Sequence, residues 1–172
     1  MGSLAKNEIE IFIQKLAELI DYPISLYLLG GSALCFLGNP RRTTDVDLTF
    51  PDTQSEIKKQ IEFLADELKI EVEIVPIEEF IPLPDGAEQR HHKVGQYGSI
   101  EVYTYDPYSI ALSKLARGFE TDIQDVLFLI NGGWIEIAKL EQMVEASLPM
   151  AWEFDIDPSD LKMYLDAVKH LI

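Results

Sequence analysis

Two short runs in the chain carry the residue types that chemistry needs. Leu28-Leu29-Gly30-Gly31-Ser32-Ala33 sets two glycines and a hydroxyl directly after an apolar stretch, and thirteen residues, Ser32 to Thr44, then lead to Asp45-Val46-Asp47-Leu48. Successive side chains on a strand point to opposite faces, so Asp45 and Asp47 project to one side, roughly 6–7 Å apart. Two carboxylates that close repel each other unless a cation lies between them. Oxygen ligands of this kind suit Mg²⁺, which proteins hold through one or two carboxylates plus substrate phosphates. Gly30-Gly31 lets the backbone approach a ligand closely, and a helix opening at Ser32 turns its free N–H groups toward an anion. A phosphate cradle and metal carboxylates joined by one short helix are the parts that phosphoryl or nucleotidyl transfer requires. An Asp-x-Asp alone is common on surface strands; the Gly-Gly-Ser at this distance makes the pair specific.

The elements that must position these residues follow from periodicity. Apolar spacing predicts an amphipathic helix over Asn7–Asp21, a short strand over Ser25–Leu29, a helical segment over Ser32–Leu37 and a strand over Asp45–Phe50. A second amphipathic helix is expected over Gln54–Lys69 and a strand over Ile70–Val75. Strands over His91–Gln96 and Ser99–Tyr105, around Tyr97-Gly98, make a hairpin. Asp106-Pro107 is a cap and first-turn pair that opens a helix to about Gly118. Further helices are expected near Glu120–Ile130, Ile135–Ala146 and Pro158–Ile172. The order gives an α+β fold, an α/β head of about residues 1–105 followed by an all-helical tail of about 106–172, in a single domain spanning 1–172.

Composition narrows the function. Fourteen basic residues against thirty acidic ones give a net charge of −16, which repels phosphate backbones and disfavours broad nucleic-acid binding. An anionic substrate must therefore be held locally, by clustered basic groups, backbone N–H groups or metal ions. The single cysteine, Cys35, rules out an internal disulfide framework and a cysteine zinc cluster. No apolar run reaches the ~20 residues that span a bilayer, and no secretory leader opens the sequence. A soluble, cytoplasmic protein is the expectation.

Gly30-Gly31-Ser32…Asp45-Val46-Asp47 resembles the signature of the DNA polymerase β-like nucleotidyltransferase superfamily. A second block, Asp106-Pro107-Tyr108-Ser109-Ile110-Ala111-Leu112-Ser113-Lys114-Leu115-Ala116-Arg117…Asp122…Asp125-Val126, is similar to that of the AbiEii-type branch, which includes toxins of toxin–antitoxin pairs. The two blocks span about Leu26 to Ile130. The resemblance implies a small mixed β-sheet of nucleotidyltransferase type flanked by helices, carrying three carboxylates, Mg²⁺ or Mn²⁺ ions and an NTP. An acceptor hydroxyl (of a tRNA 3′ end, a protein or a small molecule) would attack the α-phosphate and pyrophosphate would leave. By position, Gly30, Gly31 and Ser32 would hold phosphates, and Asp45 and Asp47 would hold the metal. The third carboxylate is expected at Glu101, in Ile100-Glu101-Val102 where the family has Asp, with Glu73 as the alternative. A cognate antitoxin is a partner the branch implies.

Other residues have two readings each. Lys114 and Arg117 are three apart on one helix face and could meet a triphosphate, or could simply be solvated. Asp122 and Asp125 share a face of the next helix, where they could support the site or pair with Lys114 and Arg117. Arg41-Arg42, in the loop before Asp45, are candidate phosphate ligands or ordinary loop residues. His91-His92 are adjacent on a strand and cannot easily bind one ion. The competing functional readings are a non-catalytic nucleotide- or partner-binding module on the same fold, and a glycosyltransferase holding a nucleotide-sugar through Mn²⁺, for which the chain is short.

Overall fold

The computed structural model describes residues 2–51 and 55–172. Its elements are α1 (Lys6–Leu19), β1 (Ile24–Leu28), α2 (Gly30–Phe36), β2 (Val46–Thr49), α3 (Ser55–Leu68), β3 (Val72–Ile74), β4 (His92–Tyr97), β5 (Ile100–Thr104), α4 (Pro107–Arg117), α5 (Glu120–Asn131), α6 (Ile137–Ser147) and α7 (Pro158–His170). Short 3-10 turns at Ile77–Glu79, Ala87–Arg90 and Leu148–Phe154 complete it. The expected start of the second helix at Gln54 lies outside the described residues. The remaining boundaries fall close to those the periodicity predicts.

These elements form two compact units, Met1–Val75 with His91–Tyr105, and Pro76–Arg90 with Asp106–Ile172. The first holds all five strands, in the order β3-β2-β1-β5-β4. β1 runs antiparallel to β2 and parallel to β5, β3 runs parallel to β2, and β4 and β5 form the hairpin. Alternation sorts the sheet into two faces. Ile24, Leu26, Leu28, Val46, Leu48, Ile100 and Val102 are buried on one. With the fully buried stripe Ile9, Phe12, Ile13 and Leu16 of α1, and Ile57 and Ile61 of α3, they make the core of this unit. Ser25, Tyr27, Asp47, Thr49, Glu101 and Tyr103 alternate with them and stay partly exposed on the opposite face.

The second unit is helical. Asp106 caps α4 by accepting the N–H groups of Tyr108 and Ser109, both at 3.1 Å. The same buried carboxylate takes both arms of the Arg90 guanidinium, at 2.8 and 2.9 Å. That bidentate pair ties the segment before β4 to the first helix after β5, although a hairpin separates them in sequence. Ile110, Ala111 and Leu115 of α4 pack with Val126, Leu129, Leu140, Val144, Leu161, Leu165 and Val168 to form its core.

Candidate functional site

The link from β1 through α2 to β2 is held by backbone approach and two hydroxyls. Helix α2 opens at Gly30, two residues earlier than expected, because the Ala33 N–H already reaches the Leu29 carbonyl, and Gly30 itself takes the left-handed conformation at φ +51°. A Cβ on Gly30 would also collide with Asp47 Oδ2, and one on Gly31 would lie 2.5 Å from Thr43 Oγ1. Conformation and space both select glycine at position 30. Ser32 is fully buried; its Oγ donates to the Asp45 carbonyl at 3.0 Å and accepts the Asp47 N–H at 3.1 Å. The side chain expected on a phosphate is instead a staple between α2 and the start of β2. Gly30, Gly31 and Ser32 still precede the first α2 hydrogen bond, from Ala33 N–H to the Leu29 carbonyl at 3.0 Å.

Beside this staple, Asp45, Asp47 and Glu73 each bring a carboxylate oxygen within 4.8 Å of the others. Asp45 and Asp47 are half-buried and Glu73 is exposed. The convergence follows from topology: β3 lies next to β2 in parallel, and Asp47 is directly opposite Glu73 in the register. The donor set is all oxygen, with no histidine or cysteine, which fits a hard divalent cation such as Mg²⁺ and does not fit zinc. The missing Cβ of Gly30 is what makes room for the Asp47 carboxylate.

Glu101, the first choice for the third carboxylate, is not in this cluster. It shares the face with Asp47, but its register partner is Ser25 on β1, whereas Asp47 accepts the N–H of Leu29 at 2.9 Å. Four residues of strand separate those levels, about 13 Å. The Glu101 carboxylate accepts the Tyr103 hydroxyl at 3.0 Å and the Lys93 ammonium at 3.4 Å. Those two partners hold its pKa below the ordinary glutamate value, the tyrosine bond first, and the same bond to the Glu101 carboxylate raises that of Tyr103. Glu101 also borders an open cavity of about 470 Å³ with Pro23, Ser25, Pro51 and Gln96.

The basic candidates are largely engaged elsewhere. Arg42 donates to Ser3 Oγ and Ser3 O, at 2.9 and 2.7 Å, and forms an ion pair with Glu8 at 2.9 Å. Arg41 is exposed, and its N–H donates to Asn39 Oδ1 at 3.1 Å. In the helical unit Lys114 is buried, with its ammonium 2.8 Å from Asp125 and 3.7 Å from Asp122. Arg117 reaches Asp122 at 2.6 Å. Of the two readings given for these residues, the ion pairs match the second: Lys114 lies in the α4–α5 interface with Asp122 and Asp125 as its partners. His91 packs against Tyr27 and Tyr105, with ring centroids 4.7 and 4.3 Å away. Thr43, in the loop before Asp45 and outside the set of candidate site residues, is buried against Gly31 and donates to the Asp45 carbonyl at 3.2 Å.

A five-stranded mixed sheet with seven helices among the described residues is the fold of a nucleotidyltransferase-like protein. It is similar to the crystal structure of an antigenic nucleotidyltransferase-like protein from Paracoccidioides brasiliensis, with a TM-score of 0.52 and 18 % identity over 94 % of this chain and 95 % of that one. The chain belongs to the family described as nucleotidyltransferase of unknown function (DUF6036), whose model matches residues 7–169. No curated protein matches it. No described helix is long and apolar enough to cross a membrane.

Proposed function

We propose that this protein is a divalent-metal-dependent nucleotidyltransferase that moves an NMP from an NTP to an acceptor hydroxyl. One observation carries the reading: Asp45, Asp47 and Glu73 converge within 4.8 Å of one another beside the bare backbone of Gly30. These three carboxylates would hold Mg²⁺ or Mn²⁺. The bound ion would supply positive charge to the triphosphate and lower the pKa of the attacking hydroxyl. The chain's own part is to place and shape. Gly30 and Gly31 make room for Asp47 and Thr43, and Ser32 fixes the backbone that carries the two aspartates. Glu73 is exposed where the aspartates are half-buried. The acceptor oxygen attacks the α-phosphorus, its proton leaves to solvent or a carboxylate, and pyrophosphate departs in line.

The finer assignment to the AbiEii-type branch rests on the second sequence block, and with it a toxin-type role, in the cytoplasm, opposed by a cognate antitoxin. The net charge of −16 favours an acceptor that makes a local contact, a protein, a small molecule or a tRNA 3′ end, over an extended RNA surface. The test is incubation with each α-labelled NTP in turn, with Mg²⁺ or Mn²⁺, and with a cell lysate. The expected result is label transferred to one acceptor class with pyrophosphate released, lost in EDTA and in Asp47→Asn. NTP binding that persists in EDTA, with no label transferred, would leave a non-catalytic binding module on the same fold.

A further inference from the structure

The segment that precedes and opens α1 reaches the carboxylate cluster through a short chain of hydrogen bonds. Leu4 and Thr43 exchange both backbone bonds, Leu4 N–H to Thr43 O at 2.6 Å and Thr43 N–H to Leu4 O at 2.9 Å. Both residues are buried. Beside this bridge, Arg42 grips Ser3 through Oγ and the carbonyl and reaches the carboxylate of Glu8. Glu8 is itself fixed by accepting the Ala5 N–H. The loop between α2 and β2 is therefore pinned from outside at two consecutive residues. Its next contact points inward. Thr43 Oγ1 packs on Gly31 and donates to the carbonyl of Asp45, the same oxygen that takes the Ser32 hydroxyl.

We propose that Thr43 is a positioning residue for the metal-binding carboxylates, and that Ser3–Glu8 act on the site through it as a clasp. Two hydroxyls on one carbonyl fix the peptide plane that follows Asp45, while the Ser32 Oγ fixes the N–H of Asp47. With both peptides held, the two carboxylates keep a common direction despite the repulsion between them. Groups that orient ligands in this way commonly change metal affinity by about 10- to 100-fold when removed. The inference rests on the metal-site reading given above.

The test uses the full chain and Mn²⁺ alone, by titration calorimetry, with amide hydrogen exchange at Thr44–Asp47 in the metal-free protein. Thr43→Val keeps the buried volume and removes the hydroxyl; Thr43→Ser keeps the hydroxyl. The expected result is Mn²⁺ affinity about tenfold lower in Thr43→Val, with faster exchange at the Asp47 amide, and both restored in Thr43→Ser. Glu8→Gln, which weakens the clasp two residues further out, should speed exchange at Thr43 and lower Mn²⁺ affinity by a smaller factor. Wild-type Mn²⁺ affinity in Thr43→Val overturns the positioning role, as does an equal loss in Thr43→Val and Thr43→Ser. Asp47→Asn separates the two failures. If it abolishes Mn²⁺ binding while Thr43→Val does not, only the clasp is wrong; if it leaves Mn²⁺ binding intact, the metal site and the clasp fall together.

Discussion

Asp47 on β2 and Glu73 on β3 face each other directly across the parallel pairing of their strands. Carboxylates held opposite one another with Asp45 alongside pay a repulsion that a cation reverses, so charge removal and metal loading have opposite signs for stability.

Asp47→Asn keeps the side-chain size and deletes one charge from the cluster. The metal-free variant is expected to melt at or slightly above the wild-type temperature, while the rise in Tm that millimolar Mg²⁺ or Mn²⁺ gives the wild type disappears. A thermal-shift series with and without EDTA reads both effects. A Tm rise retained in the variant would remove Asp47 from the ligand set.

Glu73→Gln and Glu101→Gln divide the two candidates for the third carboxylate. Loss of a metal ligand should weaken Mn²⁺ binding and any NMP transfer by orders of magnitude in Glu73→Gln. Glu101→Gln should leave both within about twofold of wild type, since Glu101 sits about 13 Å of strand away. The reverse pattern in calorimetry would return the site to Glu101.

Gly30→Ala forces a side chain into the left-handed region and onto Asp47 Oδ2. The conformation alone costs about 1–2 kcal/mol. In a chain of this size that lowers Tm by several degrees, at about 2–4 °C per kcal/mol. Metal affinity should fall as well, because the carboxylate must turn away. A surface glycine replaced in the same way, such as Gly2, should do neither.

The Glu101 carboxyl titrates below the ordinary glutamate range because it accepts the Tyr103 hydroxyl and the Lys93 ammonium. A folded pKa below the unfolded one means that its stabilising contribution is full above the unfolded value and is lost as pH falls through the folded value. Carbon-detected NMR of the Glu101 carboxyl should show the depressed midpoint, and Tyr103→Phe should move it upward. An unchanged midpoint in Tyr103→Phe would mean that the bond does not hold in solution.

Lys114→Met removes the cation shared by Asp122 and Asp125 in the α4–α5 interface. Breaking one partner out of a buried ion pair costs about 3–5 kcal/mol, since the carboxylates left behind are desolvated. Denaturant unfolding should show a loss of that order in the helical unit. A near-neutral Lys114→Met would reopen the phosphate role for this lysine.

The parts of the site that are close in sequence were legible in it. Asp45 and Asp47 alternate with Val46 and Leu48, and alternation alone gives their common face; the glycines and the short helix stand at a readable distance. Glu73 against Glu101 could not be settled that way. Both alternate correctly and both share the face of Asp47, so the choice depends on which strand neighbours β2. That is fixed by the α3 crossover that lays β3 beside it, a long-range fact with no local signature. Ser32 is expected on a phosphate and instead bonds Asp45 and Asp47, because a buried hydroxyl between a helix and a strand looks the same in sequence as one open to phosphate. The Lys114 spacing fitted pairing with Asp122 and Asp125 as well as it fitted a ligand, and burial decided between them. Nothing in the loop Asn39–Thr44 hints that Leu4 bridges to Thr43 across some forty residues of chain.

β3 is also the outermost strand on its side of the sheet, only three residues long, with no further strand beside it among the described residues. An open edge of this kind is a template on which another chain can add a strand. Glu73, and Glu71 just before the strand, place exposed negative charge along it. A second copy of the chain approaching edge to edge would bring its own carboxylates against these. The residue that closes the proposed metal site is thus also one whose charge opposes edge-to-edge pairing of this strand.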